Sequence, residues 1–190
     1  VILSRSNPSP EVYDKVKELE REGQRVIACA YKDTTVIQED ELVFAGCVGL
    51  QDPPRSDVLP ALEECRNSGI KVIMATGDSR ETARAIGHNL GFVGKIATGP
   101  EVEQWSHDTL LQHVDDITIF ARMTPKQKFR VLTALQEKGN ITAMTGDGVN
   151  DSAALKAADV GISMGIRGTD AAKQASDIVL QDDAFSTIVA

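Results

Sequence analysis

Short apolar runs rich in β-branched residues alternate with amphipathic stretches, and glycine or proline marks most of the boundaries between them. Such apolar runs are typical of strands, and apolar positions spaced by three and four indicate helices. The predicted strands are residues 25–31, 42–50, 71–75, 117–121, 141–144 and 160–163. The predicted helices are residues 12–22, 57–68, 80–90, 125–138 and a short helix from Asn150. This alternation predicts an α/β fold with helices on both faces of a parallel sheet.

One stretch breaks the alternation. Residues 97–116 are polar and irregular in pattern, with a single amphipathic segment. We interpret them as a surface insertion between the helix at 80–90 and the strand at 117–121.

Two of the predicted strands end in the same tripeptide, Thr-Gly-Asp, at residues 76–78 and 145–147. Ligands of parallel sheets bind outside the carboxyl ends of the strands, so we expect both tripeptides to face one crevice. In the first, Thr76 offers a hydroxyl group and Gly77 lets the backbone approach an anion closely. The following helix adds free N–H groups, which makes a phosphate group the natural ligand. The alternative is an ordinary turn in which Asp78 caps the helix.

The second tripeptide opens a more specific segment, Thr-Gly-Asp-Gly-Val-Asn-Asp at residues 145–151. It places Asp147, Asn150 and Asp151 in one glycine-rich turn, where crowded carboxylates favour a bound cation. Oxygen ligands of this kind suit Mg²⁺, which keeps several waters and bridges to phosphate oxygens. The segment therefore predicts a magnesium site, since a turn that only caps a helix does not need so many acidic groups.

A lysine is expected at the same edge of the sheet. Thr124, Pro125 and Gln127 predict a capped helix start directly after the preceding strand. Lys128 then lies close to the strand end, where an ammonium group would neutralise a phosphate and a neighbouring carboxylate. The alternative is a solvated helix face that carries Lys128 without further role.

Composition narrows the class of protein. The chain has 190 residues, 42% of them hydrophobic, and a net charge of −8, which disfavours nucleic acid and anionic membranes as partners. Three widely spaced cysteines without a Cys-x-x-Cys pair argue against a zinc site. No apolar run approaches the length of a membrane span, so we expect a soluble fragment. Because Val1 stands in place of a start methionine, we expect a piece of a longer protein.

Four motifs occur in an order that resembles one protein family. They are Asp-Pro-Pro-Arg at 52–55, Thr-Gly-Asp at 76–78, Arg-Met-Thr-Pro-Lys-Gln-Lys at 122–128 and the segment at 145–151. With them the chain resembles the P-type ATPases of the haloacid dehalogenase-like superfamily over roughly its whole length. Residues 164–170 and 182–189 look like those of type II pumps, which move Ca²⁺, Na⁺/K⁺ or similar ions.

The resemblance implies a Rossmann-like sheet that is incomplete at its N-terminal strand. Residues 1–45 look like the end of an inserted nucleotide-binding domain with its return hinge, and residues 46–190 like the C-terminal part of the phosphorylation domain. In this family ATP phosphorylates an aspartate, and hydrolysis of the aspartyl-phosphate is coupled to cation transport. The implied partners are ATP and the actuator, nucleotide-binding and membrane domains on the cytoplasmic face of a membrane, with the transported cation bound elsewhere.

The resemblance also assigns roles to single positions. Positions that match residues in contact with or near ATP are Arg25, Asp52 and Arg55. Positions that match the phosphate-binding groups are Thr76, Gly77, Asp78 and Lys128. Positions that match the magnesium ligand and its supporting residues are Asp147, Asn150 and Asp151.

The nucleophile is the main departure from the family pattern. The Asp-Lys-Thr-Gly segment that carries the phosphorylated aspartate is absent, and we expect it on a strand upstream of Val1. Asp33 follows the strand at 25–31 as a nucleophile would, but no Lys-x-Gly context follows it. We therefore expect the isolated chain to be inactive. Two alternatives stay open, a soluble phosphatase of the same superfamily and a non-catalytic regulatory module that keeps the phosphate fold.

Overall fold

The computed structural model describes residues 2–34, 39–50 and 54–189. The strands are β1 (Arg25–Tyr31), β2 (Val43–Leu50), β3 (Met74–Ala75), β4 (Lys95–Thr98), β5 (Ile117–Ala121), β6 (Ala143–Gly146), β7 (Val160–Met164) and β8 (Ile178–Leu180). The helices are α1 (Ile2–Ser6), α2 (Pro10–Arg21), α3 (Val58–Asn67), α4 (Arg80–Asn89), α5 (Gly99–Gln104), α6 (His107–His113), α7 (Pro125–Glu137), α8 (Ser152–Ala157) and α9 (Asp170–Ala175). Short 3₁₀ segments cover Val114–Asp116, Val149–Asp151 and Phe185–Ile188. None of the described helices is long and apolar enough to cross a membrane.

The strands form three sheets. β1 and β2 pair as an antiparallel hairpin, while β3, β5 and β4 form one parallel sheet and β6, β7 and β8 another, in those orders. The predicted α/β fold with parallel sheets and flanking helices is confirmed. Within the described ranges β3 pairs only with β5, and β6 only with β7. Both strands that carry a Thr-Gly-Asp tripeptide are therefore edge strands.

The larger apolar core lies against the first parallel sheet and includes the stretch predicted to be a surface insertion. Phe120 of β5 is fully buried there, and Val102, Leu110 and Val114 pack in the same cluster. The interpretation of residues 97–116 as a surface insertion was wrong. They form the end of β4, then α5 and α6, and contribute side chains to the core. Helices this short show too few turns for the apolar spacing to stand out from the polar residues.

Smaller differences concern element boundaries. The strand predicted at 71–75 is only Met74–Ala75, and the one predicted at 141–144 is shifted to Ala143–Gly146. Ile141 is 88% exposed, so its apolar side chain misled the prediction of where β6 begins. Among the strands, β4 and β8 were not predicted, and outside residues 97–116 the helices α1 and α9 were not predicted either.

Asp159 fixes the start of β6. Its Oδ2 accepts hydrogen bonds from the N–H of Thr142 at 2.8 Å and from the Thr142 hydroxyl at 2.9 Å. The side chain of Gln136, on α7, donates to the same oxygen at 3.2 Å. These bonds lower the pKa of Asp159, and the N–H of Thr142 has the largest effect. Since β6 leads directly into residues 145–151, Asp159 contributes to the position of the predicted magnesium segment.

The lowered pKa of Asp159 predicts a pH-dependent contribution to stability. A carboxyl group whose pKa falls on folding stabilises the fold above its unfolded pKa of about 4, and this contribution disappears as the pH falls through the lower folded value. We expect Asp159→Asn to lower the free energy of unfolding at neutral pH, with a difference from the wild type that shrinks below about pH 4. Urea unfolding followed by circular dichroism over this pH range measures the difference.

The matched control is Asp14→Asn, because the exposed Asp14 side chain on α2 makes no hydrogen bond or ion pair with the described residues. We expect this variant to unfold like the wild type at each pH. An equal loss of stability for Asp159→Asn at neutral and acidic pH would contradict the linkage.

Candidate phosphate and magnesium site

The first Thr-Gly-Asp tripeptide forms a tight turn at the end of β3. The hydroxyl of Thr76 donates to Asp78 Oδ2 at 2.8 Å and accepts the N–H of Asp78 at 3.1 Å. Helix α4 is capped by Ser79, which accepts the N–H of Thr82. Asp78 is therefore not the cap of this helix, in contrast to the alternative considered for this turn.

The backbone of Gly77 faces open space. A Cβ atom placed on Gly77 would meet no atom within 4 Å. A cleft of about 370 Å³ lies in front of it and is lined by Gly77, Asp78, Ser79 and, from β1, Arg25. The structure thus brings one predicted ATP contact, Arg25, to the predicted phosphate-binding turn.

Backbone hydrogen bonds fasten this turn to the loop between β5 and α7. The N–H of Arg122 donates to the carbonyl of Asp78 at 2.8 Å, and the N–H of Met123 donates to that of Thr76 at 2.9 Å. Arg122 adopts a left-handed backbone conformation with φ of 52°, which costs a non-glycine residue about 1 to 3 kcal/mol. The turn and the start of α7 therefore form one connected unit.

Lys128 extends from this unit toward the second sheet. Helix α7 begins with the predicted capping box of Thr124 and Gln127, and Lys128 follows one residue later. Its Nζ lies 2.7 Å from Oδ1 of Asp151, and the two side chains are only 17% and 11% exposed. Lys128 is thus not part of a solvated face, and its ion pair joins α7 to the turn that follows β6.

The three predicted magnesium-site residues lie in different surroundings. Asp151 is buried and bound to Lys128, whereas Asp147 and Asn150 are exposed. Gly146 packs so tightly that a Cβ there would lie 2.6 Å from Cβ of Asp151. The Asp147 carboxylate makes no hydrogen bond or ion pair with the described part of the chain. Asp147 is therefore the carboxylate of this turn that is free to bind an ion.

This arrangement fits one mode of magnesium binding. Over residues 2–34, 39–50 and 54–189 no three His, Cys, Asp or Glu side chains are grouped as a metal site. Mg²⁺ commonly takes one or two protein carboxylates and fills its other positions with water and phosphate oxygens. Asp147 alone can supply the single protein carboxylate that this mode of binding needs.

The other two predicted ATP contacts are Asp52 and Arg55. Asp52 lies outside the described residues. Arg55 donates from Nη1 to the backbone carbonyl of Asp183 at 3.0 Å and does not line the cleft at Gly77. Of the two predicted ATP contacts that the structure describes, Arg25 lies at the predicted phosphate-binding turn and Arg55 does not.

A loop that sequence reasoning left without a role supports Asp147. The N–H of Thr169 donates to the backbone carbonyl of Asp147 at 2.9 Å, and the carboxylate of Asp183 accepts the N–H groups of Ile166 and Arg167. Burial by itself would raise the pKa of Asp183, but these N–H groups and the Arg167 guanidinium outweigh it and lower the pKa. The sequence feature that could have indicated this role is the pair of aspartates at 182–183. Their hydrogen-bond partners, however, can be identified only from the structure.

The two parallel sheets, with glycine turns at the ends of their strands, define a Rossmann-like α/β domain. A family model described as haloacid dehalogenase-like hydrolase matches residues 9–159. The chain therefore belongs to the haloacid dehalogenase-like hydrolases, as its motifs predicted.

Several relatives in sequence are named as calcium-transporting ATPases. The calcium-transporting ATPase 1 of Bacillus cereus is 43% identical over 188 residues, which cover 94% of this chain and 21% of that protein. The calcium-transporting ATPase of Bacillus subtilis is 45% identical over 183 residues, with 91% and 21% covered. The calcium-transporting ATPase type 2C member 2 of Rattus norvegicus is 46% identical over 170 residues, with 88% and 18% covered. The predicted resemblance is confirmed, and the chain spans about a fifth of the length of these curated relatives.

The Lys128–Asp151 pair predicts a measurable coupling energy. Removing one partner of a buried ion pair leaves an uncompensated charge, which typically costs about 3 to 5 kcal/mol. Because both side chains keep some exposure, we expect Asp151→Ala to lower the free energy of unfolding by about 2 to 4 kcal/mol. In a double-mutant cycle with Lys128→Met, chemical denaturation should show a coupling above about 1 kcal/mol.

The pair between Lys126 and Glu103 is the matched control. Its atoms are 3.8 Å apart and its side chains are 83% and 54% exposed, so we expect a coupling below about 0.5 kcal/mol. Equal coupling energies for the two pairs would contradict the conclusion that the Lys128–Asp151 ion pair stabilises the site.

Proposed function

We propose that this chain is part of an ATP-driven cation pump and holds the phosphoryl group and Mg²⁺ while an aspartyl-phosphate forms and is hydrolysed. The observation that carries the proposal is the bonded connection of the Thr-Gly-Asp turn, through α7 and Lys128, to the turn that contains Asp147. Ca²⁺ is the first candidate for the cation, because the relatives named above are calcium-transporting ATPases.

Each group has a distinct part in this function. The hydroxyl of Thr76 and the open backbone at Gly77 would bind phosphoryl oxygens, and Arg25 would bind the ATP phosphates from the other side of the cleft. The ammonium of Lys128, held by Asp151, would stabilise the negative charge of the transferring phosphoryl group. When bound to Asp147 with Asn150 in support, Mg²⁺ would supply further positive charge at the phosphoryl oxygens.

We place the attacking carboxylate on a separate strand of the full-length protein. Support comes from β3 and β6, whose outer edges have no neighbouring strand among the described residues. A strand added beside either edge would end next to one of the Thr-Gly-Asp turns. Asp33 is a poorer candidate, because it follows β1 of the antiparallel hairpin rather than a strand of the parallel sheets.

The same reasoning extends to the domain division. We propose that the first part of the chain belongs to the nucleotide-binding domain and its hinge, and that the rest belongs to the phosphorylation domain. The predicted boundary at residue 45 falls inside β2, which stays paired with β1 as far as Leu50, so we place the boundary after that strand. Actuator and membrane domains would complete the pump, with this part at the cytoplasmic face.

The test is phosphorylation of the full-length protein that carries this chain. After incubation with labelled ATP and Mg²⁺ and an acid quench, we expect label that hydroxylamine removes, since an acyl-phosphate is the proposed product. Lys128→Ala should reduce this label by about a hundredfold, the effect typical of losing one group that stabilises developing charge. Lys126→Ala is the control, because that side chain is 83% exposed.

Three results would count against the proposal. Absence of hydroxylamine-sensitive label in the full-length protein would remove the pump assignment. Labelling of the isolated chain, residues 1–190, would show that the nucleophile lies within it. Loss of that label in Asp33→Asn would identify Asp33 as the nucleophile. Equal effects of Lys126→Ala and Lys128→Ala would reject the assigned role of Lys128.

A further inference from the structure

We propose that Asp183 is a positioning residue for Asp147 and acts through the loop of residues 165–169. The inference rests on the proposed function, in which Asp147 is the magnesium ligand. We call Asp183, Arg55, Arg167 and the backbone N–H of Ile166 the Asp183 cluster. This cluster gives a role to residues near the end of the chain that the proposed mechanism does not use.

Asp183 is a buried carboxylate in a constrained backbone conformation. It is 4% exposed, and its φ of 53° lies in the left-handed region. Its two oxygens accept the N–H groups of Ile166 and Arg167, each at 2.9 Å, and Nε of Arg167 lies 3.4 Å away. A buried carboxylate is unfavourable unless such donors are present. Asp183 therefore stabilises the fold only when the loop presents these two N–H groups.

The loop has little freedom between Asp183 and Asp147. At one end the N–H of Gly165 donates to the carbonyl of Leu180 at 2.7 Å, and at the other the N–H of Thr169 donates to the carbonyl of Asp147 at 2.9 Å. A Cβ on Gly165 would lie 2.5 Å from a backbone oxygen, and a Cβ on Gly168 would lie 1.9 Å from another. A displacement of the loop at Asp183 therefore reaches the backbone of Asp147.

The cluster also ties two distant parts of the chain together. Nη1 of Arg55 donates to the carbonyl of Asp183 at 3.0 Å, and the hydroxyl of Ser186 donates to Asp57 Oδ2 at 3.1 Å. The segment that enters α3 and the segment that leaves β8 are thus joined at Asp183. Arg55, predicted from the sequence as a nucleotide contact, is assigned here to the support of Asp183.

Mutation of Asp183 has different consequences under two interpretations. If Asp183 only stabilises the loop, its mutation lowers the stability of the protein and leaves the Mg²⁺ requirement unchanged. If Asp183 positions Asp147, its mutation raises the Mg²⁺ requirement, because mutation of a residue that orients a metal ligand typically weakens metal affinity by about 10- to 100-fold.

The first measurement is the Mg²⁺ concentration for half-maximal phosphorylation of the full-length protein. We expect Asp183→Asn to raise this Mg²⁺ concentration by about tenfold. At high Mg²⁺ the variant should be labelled normally, and its ATP requirement should stay within about twofold of the wild-type value. Asp182→Asn is the matched control, because among the described residues this exposed neighbour accepts hydrogen bonds only from nearby groups, the Ala184 N–H at 3.0 Å and the Thr187 hydroxyl at 2.6 Å. It should behave like the wild type.

The second measurement does not depend on activity. Hydrogen–deuterium exchange of the same proteins, without ATP or Mg²⁺, reports on the backbone at residues 164–170 and 145–151. We expect Asp183→Asn to speed exchange in both segments, and Asp182→Asn to leave both unchanged. Faster exchange at 164–170 alone would overturn the inference, because the loop would then move without affecting the turn of Asp147.

A milder variant keeps the proposal testable if Asp183→Asn fails to fold. Arg55→Gln removes the bond to the Asp183 carbonyl and leaves the carboxylate capped, so we expect a rise of about threefold in the Mg²⁺ requirement, less than for a direct partner.

An unchanged Mg²⁺ requirement, with the wild type labelled normally, would overturn the inference and leave the proposed function intact. A higher ATP requirement without that rise would overturn the assignment of Arg55. A wild type that takes no label would remove the proposed function and this inference with it.

Discussion

The ion pair between Lys128 and Asp151 is the contact on which the arrangement of the site depends. Its atoms are 2.7 Å apart and both side chains are mostly buried, so each charge needs the other. Lys128 belongs to the helix that follows the first parallel sheet, and Asp151 to the turn that follows the first strand of the second. The pair therefore sets the two Thr-Gly-Asp strand ends in relation to each other, although their strands share no sheet in the described part of the chain.

Short bonded paths connect the elements of this pair to the first Thr-Gly-Asp turn and to the turn of Asp147. On one side, the backbone of Arg122 and Met123 connects α7 to the carbonyls of the first Thr-Gly-Asp turn. On the other side, the N–H of Thr169 donates to the backbone carbonyl of Asp147, whose carboxylate has no partner among the described residues. The site combines one mostly buried cation, one open glycine backbone and one carboxylate without a partner among the described residues, and phosphoryl transfer uses groups of these kinds in addition to a nucleophile.

Patterns that depend on local chemistry were predictable from the sequence. The alternation of strands and helices, the capping box at Thr124 and the position of Lys128 near the end of a strand all follow from spacing and strand-end geometry. Patterns that depend on tertiary packing were not. Residues 97–116 have a polar composition and still supply Val102 and Leu110 to the core. Ile141 is apolar and was predicted to begin a strand, but its side chain is exposed and it lies before β6. The contact between Arg55 and Asp183 joins residues more than a hundred positions apart, which no local pattern records.

The central claim is that Thr76 and Lys128 contact one phosphoryl group and that Asp147 holds the Mg²⁺ beside it. A crystal structure of the full-length protein with Mg²⁺ and beryllium fluoride, a phosphoryl analogue, tests it most directly. The account predicts Mg²⁺ about 2.1 Å from an Asp147 carboxylate oxygen, with Lys128 Nζ and the Thr76 hydroxyl within hydrogen-bond distance of the fluorides. An analogue bound without contact to Lys128 or Thr76, or Mg²⁺ bound away from Asp147, would contradict it.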